Sequence, residues 1–186
     1  MSQARPVYGY LLAITCGMLL VLPFVTTFDD FLTAAVINAG LDSGLRWVVP
    51  AEVRVVVSLL DLAGVRAYAA GDRIVLDGHL QALFISWNCI GWQSLILLAV
   101  SLVTGLRGRH PWEARAQVVL IGIGGTVLVN LARVFMVCLL AALAGYVPAV
   151  IFHDYGGTLM TVAWLFAFWA GAHRYLLTPS PATATA

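Results

Sequence analysis

The chain has 186 residues, 61% hydrophobic and 10% charged, with a net charge of +1 and a mean hydropathy of +0.93. Soluble domains carry about 45–50% apolar and about 25% charged residues, so composition excludes a soluble domain and predicts a membrane protein. The near-zero charge gives nucleic acid nothing to bind, and the length predicts a single domain.

The first apolar run is Tyr8–Phe28, "YGYLLAITCGMLLVLPFVTTF". About 20 such residues cross a bilayer. The run lacks a small-residue cleavage site and continues past Cys16, so it reads as a retained helix without a lipid-anchor cysteine. Phe31–Leu62 is apolar but broken by Asp42, Arg46, Glu52, Arg54 and Asp61. One or two amphipathic interfacial helices are expected there, with a fifth and sixth crossing as the alternative. The period then changes. Ile74, Leu76, Leu80, Ala82 and Phe84 alternate around Asp77-Gly78, which predicts a small β-hairpin leading into Asn88-Cys89.

Ile90–Leu106 is the second expected span. The loop "RGRHPWEAR", Arg107–Arg115, holds three arginines and is assigned to the cytoplasm, which places Asp29–Ser86 outside. Gln117–Val147 is too long for one upright crossing and contains Arg133. Either its helix tilts, or "AALAGYVPAVIF" is a hydrophobic turn that caps the site. Gly122, Gly124 and Gly125 are expected to permit close helix packing. Tyr155–Ala172 is the fourth span. The expected fold is thus an all-α integral membrane bundle of about four transmembrane helices, up to six, with an extracytoplasmic amphipathic helix and a β-hairpin. Residues 1–176 form one membrane domain, and 177–186 a disordered tail.

Three polar groups stand out. Cys89 lies 18 residues from Arg107, Arg133 lies 18 from Arg115, and His153 lies 21 from Arg174. At 1.5 Å per residue these are ~27, ~27 and ~32 Å, against a hydrocarbon core of about 30 Å. A thiol, a guanidinium and an imidazole therefore reach a similar depth near the outer face. An ionisable residue deep in a span costs roughly 2.5–3.5 kcal/mol on insertion scales and usually faces a cavity or a partner. Asn130 sits one turn before Arg133 on the same face. Cys16 and Cys138, inside apolar runs, read as small hydrophobes. The cysteines show no zinc spacing and no disulfide pattern, and no metal or cofactor is expected.

Together the three groups suit acyl transfer. A nearby cation favours the thiolate of Cys89. Arginine cannot serve as a base, so His153 is left for proton transfer and Arg133 for the oxyanion.

At these residues the chain resembles the exosortase/archaeosortase family of membrane transpeptidases. The resemblance rests on "NCIGWQS", "NLAR" and "FHDYGGTLM", in that order, and on "GVRAYAAGDRIVLDGH" before them; it covers roughly residues 64–172. Ile90 departs from the small polar residue many members carry after the cysteine. The resemblance implies a prokaryotic cell-membrane cysteine protease/transpeptidase with its site facing outward. Cys89, Arg133 and His153 would be catalytic, with Asn130 and Asn88 in support. It also implies substrates that are secreted proteins ending in a motif, an apolar helix and a basic cluster, and an acceptor often thought to be a lipid. Two other readings remain at this stage. One is a non-enzymatic membrane subunit in which Arg133 pairs with Glu52 or Asp154. The other is a small anion-handling transporter, against which the lack of an inverted repeat counts.

Overall fold

The computed structural model describes residues 30–78, 82–108 and 110–177. The expected first span with Cys16, His79 and Leu80, and the tail from residue 178 lie outside the described residues. Contacts divide the chain into two units, residues 1–42 and 43–186. In the first, residues 30–38 are helical. The second carries every candidate residue discussed below.

The segment expected to hold one or two amphipathic helices holds three helical pieces: residues 30–38, α1 (Asp42–Arg46) and α2 (Val49–Leu62). Gly40, at φ 67°, interrupts the winding before α1. Pro50 fits the first turn of α2, where its missing N–H removes no intrahelical bond. Val49, Val53, Val56 and Leu60 fall on one buried stripe, as a one-sided helix requires. Gly64, at φ 80°, ends the helix in a Schellman turn, with Val65 N–H donating to Leu60 O at 2.9 Å and Gly64 N–H to Asp61 O at 2.9 Å.

A three-stranded antiparallel sheet follows, ordered β1 (Ala67–Ala70), β2 (Arg73–Leu76), β3 (Ala82–Phe84). The expected pairing around Asp77-Gly78 is β2 with β3, with Ile74 opposite Leu83. The strand β1 was not expected. Its "AYAA" carries little alternation, and the two-residue loop Gly71-Asp72, with Gly71 at φ 68°, supplies the glycine-first turn that a tight hairpin needs.

Among the described residues, two helices are long and apolar enough to cross a membrane: Trp87–Gly105, which contains α3 (Trp92–Gly105), and α4 (Trp112–Ala144). With 33 residues, α4 is ~50 Å long. It runs on past Arg133 before Gly145, at φ 91°, turns the chain into α5 (Tyr146–Ile151). Winding then continues through a π-helical turn, Phe152–Gly156, into α6 (Gly157–Gly171) and a second π-helical turn, Ala172–Leu176. The stretch expected as the fourth span, Tyr155–Ala172, holds α6 and part of its flanks, and it is not one of the two helices long and apolar enough to cross.

Every fourth residue of α4 faces inward: Ala114, Val118, Gly122, Thr126, Asn130, Val134 and Cys138 are all buried. Toward the arginine loop, Leu98, Val118 and Phe168 form an apolar core with Ala172 and Leu177. Gly122 touches Phe168 and Leu98 so closely that a methyl group would crowd both, and a side chain at Gly125 would collide with Trp164. Gly124 corrects the sequence expectation. A side chain there meets nothing, because two residues after Gly122 the helix has turned about 200° and Gly124 falls on the exposed side. Polar ties cross the same interface. Trp164 Nε1 donates to Thr126 Oγ1 at 2.9 Å, Trp169 Nε1 donates to Ser101 Oγ at 3.1 Å, and Ser94 Oγ meets Thr161 Oγ1 at 3.4 Å.

Candidate functional site

The cysteine lies on a short 3-10 turn, Trp87–Ile90, between β3 and α3. Its geometry follows from the local sequence. Ser86 is extended and its hydroxyl accepts from Asn88 N–H at 3.3 Å, while Cys89 N–H donates to Ser86 O at 2.8 Å. Gly91, at φ 80°, takes the left-handed conformation that launches α3. The turn is braced by the buried Trp87 and Trp92, stacked at 5.8 Å, and Trp92 Nε1 donates to Asn88 Oδ1 at 3.3 Å. Asn88 is thus a brace of the turn, and its side chain points to the tryptophan.

Opposite stands His153 in the π-helical turn. Such single π turns recur at functional sites, and here the turn brings His153 Nε2 to 3.7 Å from Cys89 Sγ. The other ring nitrogen, Nδ1, lies 3.1 Å from Asp154 Oδ1. The contact with the Cys89 sulfur, helped by Asp154, raises the His153 pKa above its ordinary value despite burial and the Arg133 charge. Asp154 is 56% exposed, so its own effect is screened by solvent.

Arg133 comes from α4 and reaches under the π turn. One guanidinium nitrogen, Nη2, lies 3.5 Å from His153 O. The side chain rests against Gly157, where any Cβ would collide with Nε. Its other N–H groups have no hydrogen-bond partner among the described residues. The sequence alternative of an Arg133 ion pair is not what the geometry shows, since Asp154 holds His153 and Glu52 holds Asn130.

Asn130 is 5% exposed and ties the elements together. Its Nδ2 donates to Cys89 O at 2.8 Å and to Glu52 Oε1 at 3.0 Å. Gly91 makes this approach open, because a side chain there would collide with the Asn130 amide.

Cys89, Arg133 and His153 line one cavity together with Leu83, Phe84 and Ile85 from the end of β3 and Val134 and Val137 from α4. The cavity wall also includes Cys138. The sequence put that cysteine in an apolar run as a small hydrophobe. It is fully buried, in keeping with that, but it shares a wall with Cys89, which the run could not reveal.

Sequence reasoning thus named the residues that meet here and missed two. Glu52 entered only as an alternative partner for Arg133; the signal available was a carboxylate on the border of the buried stripe of α2. Gly157 was missed because its purpose, room for a guanidinium, is visible only once the arginine is placed. Among the described residues no cluster of His, Cys, Asp or Glu could hold a metal ion.

The family model described as transmembrane exosortase (Exosortase_EpsH) matches residues 8–170. No curated protein and no solved structure matches the chain.

Proposed function

The chain belongs to the transmembrane exosortase family, and we propose that it is a membrane-embedded cysteine protease/transpeptidase. On this reading Cys89 is the nucleophile, His153 the proton carrier and Arg133 the oxyanion partner. The observation that carries the reading is the convergence of Cys89 Sγ, His153 Nε2 and the Arg133 guanidinium on one cavity.

The thiolate attacks the carbonyl of the cleaved peptide bond, forming a C–S bond and a tetrahedral oxyanion. The N–H groups of Arg133 that lack a partner among the described residues receive that charge. The C–N bond then breaks as His153 gives its Nε2 proton to the leaving amine, and a thioester on Cys89 remains. An acceptor nucleophile next attacks the thioester while His153 takes its proton, and the Cys89 thiolate departs. Asp154 orients the ring through Nδ1.

The substrates are secreted proteins with a C-terminal motif, an apolar helix and a basic cluster, and the acceptor is a lipid. The protein sits in a prokaryotic cell membrane with Arg107–Arg115 inside and the site outside. Reporter fusions at Gly108 and Gly71 should then report opposite sides, and two cytoplasmic reports would displace the site. Co-expression with such a tailed protein tests the activity. Cys89→Ala should leave the tail uncleaved, whereas Cys16→Ala and Cys138→Ala should cleave it. Normal cleavage by Cys89→Ala would remove the enzyme reading of this residue.

A further inference from the structure

Glu52 is a buried titratable group that the acyl-transfer steps do not use. It lies on α2, far in sequence from Cys89, yet only the Asn130 amide separates its carboxyl from the cysteine carbonyl. Both hydrogens of Nδ2 are engaged, one on each side. The two remaining atoms of this knot, Glu52 Oε2 and Asn130 Oδ1, are buried and have no hydrogen-bond partner among the described residues. With Glu52 ionised, both are acceptors and neither can satisfy the other. Buried acceptors without a donor are rare in folded proteins.

We propose that Glu52 is a positioning residue of this site: as a neutral carboxylic acid it clasps the Asn130 amide, and Asn130 thereby fixes the Cys89 carbonyl and the direction of the thiol. A proton on Oε2 supplies the donor that Asn130 Oδ1 lacks, giving the reciprocal pairing that an acid and an amide make. Burial favours the same protonation state. It pushes the Glu52 carboxyl up to about 7, against the opposing pull of the Asn130 hydrogen bond and the Arg133 charge.

The neighbours of Glu52 leave the titration to that balance. From α4 it faces Asn130 and the charge of Arg133. From the 3-10 turn Cys89 reaches it through Asn130. On its own helix, Arg54 turns back to Pro50 O, and on the sheet Arg73 lies against Asp72 at the surface. When Glu52 ionises, it loses the donor toward Asn130 and gains attraction to Arg133. The clasp loosens, and the thiol loses its alignment with His153. The sign is therefore fixed: the site is best ordered below the titration of Glu52 and loosens as pH rises through it.

The proposal rests on Cys89 being the reactive thiol, but its test needs no substrate. In a Cys16→Ala, Cys138→Ala background, the rate of Cys89 alkylation by iodoacetamide is measured in detergent from about two pH units below neutrality to about two above. Glu52→Gln keeps a donor and an acceptor at every pH, so its ratio to the parent cancels the titrations of Cys89 and His153. Below neutrality the two proteins should react alike. Above it the parent should fall several-fold behind Glu52→Gln, in one step centred on the Glu52 titration. Glu52→Ala should be slower by about tenfold throughout, because the amide is left without its clasp. A ratio that stays flat across the range overturns the proposal. Infrared spectra of the parent give a second reading that survives a misfolded variant. A protonated-carboxyl band should be present at pH about 6, where exposed carboxyls are ionised, and should vanish as pH rises through neutrality; its absence at pH about 6 overturns the proposal. If tailed proteins are cleaved through Cys89 while the ratio is flat, the proposal fails and the proposed activity stands. If the ratio steps as expected but no tailed protein is cleaved, Glu52 positions this thiol and the proposed activity fails.

Discussion

The two ends of the α3–α4–α6 bundle solve the burial of polar groups differently. Toward the arginine loop, hydroxyls are paired with neighbours, the buried Thr126 with Trp164 and the half-buried Ser101 with Trp169, and glycines leave room for both indoles. Toward the cysteine turn, the buried oxygens of an asparagine and a glutamate find a donor only if the glutamate is protonated, and among the described residues an arginine makes one long hydrogen bond. The first arrangement minimises cost. The second keeps groups available, at a cost the packed end offsets. Stability and reactivity are thus separated along the same three helices, and single substitutions should move one without the other.

The largest expected effect is at the reactive end. Arg133→Ala should lower acyl-intermediate formation by about 10²–10³, the loss seen when one oxyanion donor is removed. Arg133→Lys should be comparably impaired, because it keeps the charge but loses the planar fork. Neither should lower thermal stability, since a costly charge is removed or retained without new packing. If activity falls only in proportion to folded protein, Arg133 belongs to the scaffold and the separation fails.

Next comes the packed end. Gly125→Val drives a side chain into Trp164 and should cost about 1–3 kcal/mol by overpacking, read as a lower melting temperature. Cys89 alkylation per folded molecule should stay unchanged, and a loss there would mean that the two ends are coupled. A milder version is Trp164→Phe, which keeps most of the ring but strips the donor from Thr126. About 1 kcal/mol of stability should go, again with no change in alkylation.

The smallest expected effect is at Asp154. Asp154→Asn removes one of the influences that raise the His153 pKa, the lesser one beside the Cys89 contact. The imidazolium should then be lost at a lower pH than in the parent. The acidic limb of the alkylation profile, where the protonated ring supports the thiolate, should end earlier by a small margin. An upward shift would mean that the carboxylate acts on the ring in some other way.

How much of this could be read in the sequence follows from the reach of each signal. The helices α3 and α4 were legible as candidate spans because length and apolar composition are read directly from the sequence. The β2–β3 pairing was legible from alternation and Asp77-Gly78, whereas β1 was not, since alanines pair without announcing a face. Cys89, Arg133 and His153 were legible because a polar group in an apolar run is conspicuous, and counting rises placed them at similar depth. Their contact was not, because a rise along the axis says nothing of the angle around it. Nor was the π turn, which rotates His153 toward the thiol and has no sequence period of its own. Glu52 was hidden for the opposite reason: on an amphipathic helix with Arg54 and Asp61 nearby, one more charge looks solvated until Asn130 is found against it.

The central claim is that Cys89 carries the acyl group. The direct measurement is the mass of the intact protein, and of its Cys89 peptide, after co-expression with a tailed secreted protein. The account predicts a thiol-labile adduct on Cys89, absent from Cys89→Ala and from Arg133→Ala, and unaffected by Cys138→Ala. An adduct on Cys138, or tail cleavage that proceeds with no adduct on Cys89 and survives Cys89→Ala, would contradict it.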